Sequence, residues 1–478
     1  MAIVLTNKYK QVLAEKVKNL ISTDNVYTFL GRNYPWPTDS VPPVPVYSIN
    51  DEYTDWNDIL CMKKVTASDV AYVVPKYTWT TSTVYVPYDS TDSSLWTDKQ
   101  FYVVAPNNKS VYKCINNNSG TASTVEPTGT GTSGIIHNTA TDGYIWKYLY
   151  TISNDDWTKF QTSDWIPVYD LSTDDTTSQW DVQESAIDGA VYRIKRSTEN
   201  WSSYTNGQVV TLEGDGSNFS GTIATYSTGS NKYVNITNPG TGYKYVSAVK
   251  VAGTIDTNLT AMLSPLGGHG FNPVHELGAH NVMVSIQFIN DELGNGEIFY
   301  DNDFRTVGLI LNPYRKTLSD GTTAGSYDDI VSPDTIVTSG TRSTATCIDQ
   351  RLAIIYSNIT GGTELTFSTS GKDQIITQAT SGHTGRVVHV DTDMNIIYII
   401  PTSTSDTFTS ANNLTCSAGG TAYTIIKLDN YSDYDGLRYS GDILYVEYLP
   451  YNISTHPTTG YPQRANNQTE TIRIVLKF

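Results

Sequence analysis

The sequence has few charged residues, few basic residues and no long apolar run. Only 17% of its 478 residues are charged, and Asp and Glu outnumber Lys and Arg by 48 to 31. The formal net charge of −17 opposes direct binding to DNA or to an anionic membrane, because phosphate contacts need clustered Lys and Arg. No stretch approaches about 18 consecutive apolar residues, so we expect no transmembrane helix.

Cysteine is also scarce. The four cysteines are Cys61, Cys114, Cys347 and Cys416, which lie far apart and form no C-x-x-C pair. Structural zinc and a disulfide framework are therefore not expected. We interpret the four as buried free thiols, which behave as small hydrophobic side chains.

Aromatic and small polar residues are abundant instead. The chain carries 34 Tyr and 9 Trp, and Tyr, Trp and Thr favour half-buried pleated surfaces. Residues Met1 to Lys8 offer an apolar run too short for a signal-peptide core. A β-rich, aromatic chain made without secretion is expected to be assembled in a cytoplasm and released by lysis, as virion proteins are.

The element pattern indicates mainly short strands. The clearest helix is predicted over residues 6–21, with Thr6 as its cap and with Leu13, Val17, Leu20 and Ile21 on one face. Strands separated by Gly-rich turns predict one small all-β insert at 186–264 and a second all-β insert at 319–427. The second contains a hairpin predicted around residues 391–393.

The chain closes on an alternating pattern. Ile472, Ile474, Leu476 and Phe478 are predicted to face one way, and Thr471, Arg473 and Lys477 the other. This period of two indicates a half-buried strand, which ties down the C-terminus in a sheet.

Three histidines form the strongest metal candidate. His269, His275 and His280 resemble a zincin H-E-x-x-H motif with one residue too many. The zinc site needs two His four residues apart on a helix, and Pro273 with Gly278 argues against a helix. A structural loop is favoured, and a metal site built from a loop stays open.

Three other motifs are incomplete. Asp391, Asp393 and Asn395 begin a calcium-loop pattern that has Ile396 where Gly is needed and Thr402 where Glu is needed, so a polar turn is favoured. Gly129, Gly131 and Gly134 fit G-x-G-x-x-G without the flanking strand and helix. Gly371-Lys372 fits only part of a phosphate-binding loop. Asp373 stands where the loop needs Ser or Thr, and Thr366 stands where it needs Gly. No nucleophile elbow is present, and a glycosidase-like pair of carboxylates stays open.

An aromatic strand is predicted over residues 142–150. Tyr144, Trp146, Tyr148 and Tyr150 share one face, and Ile145 and Leu149 the other. A sugar platform, a core and an interface are all consistent with one aromatic face. Because both faces are largely apolar, we expect a strand covered on both sides, within a core or an interface.

The order of several segments resembles the baseplate wedge proteins of T-even-type contractile-tailed phages, the gene 8 product family, in its longer marine-phage and cyanophage form. The segments are Phe29 to Trp36 after the first helix, Val111 to Cys114, Asp142 to Tyr150, Ser264 to Pro273, Asp303 to Pro313, Arg438 to Glu447, and Asn467 to Glu470 with the terminal strand. The likeness covers roughly residues 1–170, 264–315 and 435–478. The two inserts, and a longer Tyr448 to Arg464 segment, depart from the family pattern.

The resemblance implies a multi-layer β-sandwich with flanking helices, formed discontinuously by residues 1–185, 265–318 and 428–478. It implies a homodimer within the virion, in each wedge of the tail baseplate, that joins other wedge proteins. It implies no catalysis, and we expect no catalytic, cofactor-binding or metal-ligating residue and no small-molecule substrate. The alternatives are a tail adhesin that binds host glycan and a polysaccharide-cleaving tail enzyme. An adhesin should be a trimer with a fibrous repeat, and no such repeat is present in the sequence.

Overall fold

A computed structural model of the chain describes residues 5–131, 136–137, 142–198, 201–226, 231–291, 297–299, 303–315, 341–342, 347–349, 351–358, 374–379, 382–391, 396–402, 413–417, 423–426, 441–450 and 468–478. The chain divides into two compact units. The first unit comprises Met1–Lys18, Ala71–Met283 and Ile474–Phe478, and the second comprises Asn19–Val70 and Val284–Arg473.

The helices are short apart from the first. In the described residues they are α1 (Asn7–Thr23), α2 (Ile49–Asp58), α3 (Leu95–Asp98), α4 (Asn154–Phe160), α5 (Ser178–Glu184) and α6 (Pro273–Glu276), with 3-10 turns at Ala67–Asp69 and Asn118–Gly120.

Strands make up most of the regular structure. Up to residue 263 they are β1 (Val26–Gly31), β2 (Ile59–Lys64), β3 (Val70–Pro75), β4 (Tyr102–Val104), β5 (Ser110–Asn117), β6 (Ile136–His137), β7 (Tyr144–Thr151), β8 (Trp165–Val168), β9 (Val191–Arg196), β10 (Val209–Gly214), β11 (Ser217–Thr225), β12 (Lys232–Thr241), β13 (Val246–Val251), β14 (Thr254–Ile255) and β15 (Leu259–Leu263). They continue with β16 (Asn281–Asp291), β17 (Ile298–Phe299), β18 (Thr306–Leu311), β19 (Tyr314–Arg315), β20 (Thr341–Arg342), β21 (Cys347–Asp349), β22 (Leu352–Asn358), β23 (Ile375–Gln378), β24 (Thr384–Asp391), β25 (Ile396–Pro401), β26 (Asn413–Cys416), β27 (Tyr423–Ile426), β28 (Asp442–Tyr448) and β29 (Thr469–Lys477).

The predicted first helix is confirmed, and its predicted face is buried at Ile21 but not at Leu13. The Thr6 hydroxyl accepts from the Tyr9 N–H at 3.2 Å, as expected of a cap. Gln11, Ala14 and Ile21 are buried, whereas Leu13 is 37% exposed. The amide of Gln11 donates to the His275 carbonyl at 3.3 Å, so a polar side chain occupies a contact that the apolar pattern assigned elsewhere.

One antiparallel sheet lies in the second unit, in the order β21-β2-β1-β18-β28. Its core includes Tyr27, Phe29, Met62 and Ile310. Phe29 faces Gly308 across the β1–β18 pair, where a Cβ would lie 2.4 Å from the Phe29 ring. Only glycine leaves room for that ring, so this register is fixed by size.

A closed barrel also lies in the second unit, in the order β22-β25-β24-β23-β26-β27. Strands β24 and β25 pair antiparallel up to Asp391 opposite Ile396, which confirms the strand pairing of the predicted hairpin, whereas its turn residues 392 and 393 lie outside the described residues. Strand β21 falls inside the predicted insert 319–427, yet it pairs with β2 of the neighbouring sheet and not with the barrel.

In the first unit, the aromatic strand β7 lies inside the sheet β4-β5-β7-β6. Both of its faces are covered, as predicted, and its residues Tyr144 to Tyr150 are buried. The Tyr144 and Trp146 rings stack with their centroids 5.5 Å apart. These rings belong to a core cluster with Tyr85, Tyr112 and Val182.

A second part of the first unit is β9 to β15. Strands β12-β11-β10-β13-β14 form one sheet, and β15 pairs with β9. Its core cluster is drawn entirely from residues 191–263, with Trp201, Tyr204 and Tyr243 as its largest members. Such a core buries apolar surface on its own, which is consistent with the predicted insert 186–264.

The terminal strand β29 has the predicted alternation, since Ile474 is buried and Arg473 is exposed. Its partner is β16, from the middle of the chain. Strand β28, and not β29, reaches the sheet of β1.

The fold is therefore mainly β, with several antiparallel sheets and a few helices, as predicted. The predicted discontinuous core of residues 1–185, 265–318 and 428–478 is distributed over both units, and its boundaries stay a prediction. Cys61, Cys114 and Cys416 are buried free thiols, as expected, and the Cys347 side chain lies outside the described residues. None of the described helices combines the length and apolarity that crossing a membrane requires.

Candidate functional site

Among the described residues, several neighbouring apolar side chains are exposed in a proline-rich segment of the second unit, residues 41–49, which we call the apolar arm. Pro42, Pro43 and Pro45 interrupt it, and it has no regular structure before α2 begins at Ile49. Its large side chains are exposed to 70% at Val41, 82% at Val44, 68% at Val46, 89% at Tyr47 and 72% at Ile49. Contiguous apolar exposure of this kind marks an interaction surface.

The base of the arm is rigidly held. The Arg305 guanidinium donates from Nε and Nη2 to the two carboxylate oxygens of Asp39, both at 2.9 Å, and from Nη1 to Asp303 at 3.0 Å. Although burial acts in the opposite direction, these bonds keep the pKa of the Asp39 carboxyl below its usual value. The Trp36 indole donates to the Leu449 carbonyl at 3.1 Å. The arm therefore projects from a fixed anchor.

A small groove of about 170 Å³ adjoins the arm, lined in part by Pro45, Val46, Ile443 and Val446. Glu52 and Asp55 of α2 also line it. Burial raises the pKa of Asp55 to about 6, and its carboxylate accepts from the Tyr448 hydroxyl at 3.1 Å.

The sequence leaves open a glycosidase-like pair of carboxylates, and Glu52 and Asp55 are one candidate for that pair. The apolar walls of the groove favour an apolar occupant over a hydroxylated sugar chain.

A second cavity of the second unit has a volume of about 290 Å³ and lies beside Tyr34 and Asp58. The Tyr34 hydroxyl donates to the Asp58 carboxylate at 2.8 Å. The guanidinium groups of Arg32 and Arg386 each lie 3.8 Å from the Tyr34 ring centroid. Burial raises the pKa of Asp58 and, with the Asp58 charge, raises the pKa of Tyr34 to about 12. The contact of Arg386 with Tyr34 connects the barrel strand β24 to the segment that follows β1.

In the first unit, a buried charged cluster surrounds Glu276. Lys113 and Lys147 lie directly opposite each other on β5 and β7, and both are buried. Glu276 forms an ion pair with Lys113 and accepts from the Gly270 N–H. The carboxylate of Glu276 thus fixes the loop before α6 against the aromatic sheet.

The three candidate histidines do not converge. His269 is buried beside Glu276, with Nδ1 3.9 Å from its carboxylate, and packs edge-on against Tyr88. Burial and the charges of Lys113 and Lys147 hold the pKa of His269 well below its ordinary range. His275 accepts from the Lys8 ammonium at 3.1 Å, and His280 donates from Nδ1 to the Gly278 carbonyl at 2.7 Å.

The expectation that no helix forms here is wrong, because α6 makes one turn. Pro273 stands at its start, where its missing N–H has no cost, and the Asn272 side chain caps it. The helix ends before Gly278, which has a φ of +70°. His275 and His280 therefore do not share a helix. Among the described residues, no group of three or more His, Cys, Asp or Glu side chains is arranged to hold a metal ion.

The other sequence motifs contribute no site to the described residues. Asp391 ends β24, whereas Asp393 and Asn395 lie outside the described residues. Gly371-Lys372 also lies outside them, as does Gly134. Gly129 opens no helix, and its carbonyl accepts from the Tyr112 hydroxyl at 3.0 Å.

Sequence reasoning missed the Glu276 cluster and the Arg305 anchor. A signal for the first was present, since Lys113 and Lys147 each stand within a strand whose faces are both apolar. A lysine there must be buried, and buried charges need a partner. No local pattern connects Arg305 with Asp39, which lie 266 residues apart.

No protein-family model matches the chain, and no curated protein matches it.

Proposed function

We propose that the chain is a structural component of a contractile phage tail baseplate wedge, where it joins wedge subunits during assembly and host attachment. The order of the segments described above supports the family, and the apolar arm is the observation that supports a role in assembly. A side chain such as Tyr47, exposed to 89%, stabilises the protein only when a partner covers it.

The arm suits a partner because it is already restricted before binding. Its three prolines limit the backbone, so less conformational entropy is lost when it is bound. The Asp39–Arg305 ion pair holds the residues that directly precede the arm. The proposal includes a homodimer and no catalytic activity.

Location is the first test. Purified phage particles should contain the chain, and antibody labelling in electron micrographs should place it at the tail baseplate. Labelling along fibres would favour the adhesin alternative, and absence from the particles would refute the proposal.

The arm is tested by substitution. The double variant Val44→Asp with Tyr47→Asp should fold normally, because both side chains are exposed, and should lose co-purification with the other wedge proteins of the same phage. Val84→Asp is the matched control, since Val84 is 52% exposed in the first unit. Unchanged wedge binding by the double variant would remove the arm from the proposal.

The mass of the purified chain separates the alternatives. Light scattering should give a dimer under the present proposal, whereas a trimer would favour an adhesin. A stable monomer at micromolar concentration would contradict the homodimer.

A further inference from the structure

One cavity of the first unit has a volume of about 340 Å³. We call it the Trp96 pocket, after the residue that follows the start of α3. Lys10 of α1 lines it, with Tyr77, Trp96, Lys99 and His280. Its volume is at the lower end of the range of small-ligand sites, roughly 300–1,000 Å³.

The pocket is cationic on an acidic protein. Its described lining residues include Lys10 and Lys99 and no Asp or Glu, although the chain has a net charge of −17. Within the described part of the chain neither lysine forms an ion pair, while Lys99 acts at longer range on Asp92. Among the described side chains, which do not include that of Asp98, two ammonium groups with no carboxylate between them favour an anionic ligand.

The aromatic wall is exposed and yet fixed. The Trp96 indole donates to the Glu276 carbonyl at 3.0 Å, and its ring lies against Gly278, where a Cβ would be 2.3 Å from the ring. Trp96 nevertheless remains 43% exposed. An indole held from behind with a free surface is a preorganised stacking platform rather than a core side chain.

The polar groups of the pocket can serve hydroxyls. Burial and the nearby charge of Lys10 lower the pKa of His280, so its ring is neutral at pH 7. Its Nδ1 donates to the Gly278 carbonyl, which leaves Nε2 as a hydrogen-bond acceptor. Asn7, Thr97 and Asn281 supply amide and hydroxyl groups along the same lining.

We infer that the Trp96 pocket binds a carboxylated sugar of the uronic acid class. The indole covers an apolar face of the pyranose ring, the ammonium groups of Lys10 and Lys99 pair with the carboxylate, and the amides and His280 bind hydroxyls. This site goes beyond the proposed structural role and departs from the expectation of no small-molecule partner.

The test uses the full chain and three probes: D-glucuronate, D-glucose and acetate. Saturation-transfer NMR and calorimetry should show glucuronate binding, with glucose and acetate weaker by at least about tenfold, a difference of ~1.4 kcal/mol each. Equal binding of acetate and glucuronate would reduce the pocket to a simple anion site. No binding of glucuronate at about 10 mM would overturn the inference.

Variants assign the binding to the pocket. Trp96→Ala and Lys99→Met should each weaken glucuronate by about tenfold or more. Trp96→Phe should retain most of the affinity and guards against a folding defect. Lys16→Met, an exposed position of α1, is the matched control and should bind as the unmodified chain does. Unchanged affinity for glucuronate in both Trp96→Ala and Lys99→Met would refute the site. If the chain binds poly-glutamate but not glucuronate, the pocket is a site for an acidic protein segment and the inference is overturned.

Discussion

At the residue scale, we expect the Glu276 carboxylate to contribute strongly to the stability of the first unit. It lies between two elements of the first unit and pairs with the fully buried Lys113. Glu276→Gln removes the negative charge and leaves a buried ammonium without a counter-charge. We expect a loss of ~3–5 kcal/mol in the free energy of unfolding, because breaking one side of a buried pair leaves the other charge uncompensated. Denaturant unfolding measures it.

An exposed ion pair of the same unit provides the control. Glu213 pairs with Lys250 while 48% of the Glu213 side chain is exposed. Glu213→Gln should therefore cost less than about 1 kcal/mol, since solvent screens such pairs. Similar losses for the two glutamates would show that the Glu276 pair is not desolvated as described.

The second lysine of the cluster predicts a pH dependence. Burial lowers the pKa of Lys147 to about 8 from its ordinary value of 10.5. The folded state thus disfavours the charged form, and this cost is fully present below pH 8 and disappears as the pH rises towards 10.5. Lys147→Met should raise the melting temperature at pH 7 and raise it less near pH 10.

Thermal unfolding across this range checks the prediction, with Lys16→Met as the exposed control. An equal increase in melting temperature at pH 7 and pH 10 would contradict burial of the Lys147 charge as the cause, because a packing effect does not depend on pH. A loss at pH 7 would show that the Lys147 ammonium is stabilised by its contacts more than burial penalises it.

At the element scale, the terminal strand β29 offers two adjacent positions with opposite environments. Ile474 is 2% exposed, whereas Arg473 points outward. Ile474→Asp buries a carboxylate without a partner and should cost several kcal/mol, about 3–5, enough to misfold the chain. Arg473→Glu should change stability by no more than about 0.5 kcal/mol.

Thermal unfolding of both variants decides between registers, since a slip of one residue exchanges the two faces. Equal melting temperatures, or a larger loss for Arg473→Glu, would contradict the register of β29. Under the proposed function, entry into a wedge gives a second readout, and Ile474→Asp should be absent from assembled wedges.

The same scale shows what the sequence can predict. Alternation in β29 and the double apolar faces of β7 follow from side chains two residues apart, so these strands were predictable one at a time. The buried face of α1 was not, because Gln11 is satisfied by a carbonyl 264 residues away. The single turn α6 was excluded by Pro273, although proline at a first helical position is favourable.

At the scale of the whole molecule, partners distant in sequence decide what local patterns leave open. The hairpin β24–β25 was predictable from its turn, whereas closure of the barrel depends on β22 pairing with β27, some distance along the chain. The candidate surfaces follow the same rule. The arm was visible as a proline-rich stretch, but its exposure and its Arg305 anchor emerge only in the folded chain.

The barrel should be removable, provided that β21 is kept. Strand β22 pairs with β27 from Ile355 opposite Ile426, so the two ends of the barrel lie side by side. A short linker in place of residues 351–427 closes a short gap, and loop closure adds little to the free energy of the folded chain. We expect a soluble dimer by light scattering.

The control deletion also removes β21, which takes Cys347–Asp349 away from β2 and leaves its edge unpaired. An unpaired edge favours aggregation, so this shorter chain should be insoluble or associate without limit. Insolubility of both, after several linkers, would show that the barrel is needed for the second unit to fold.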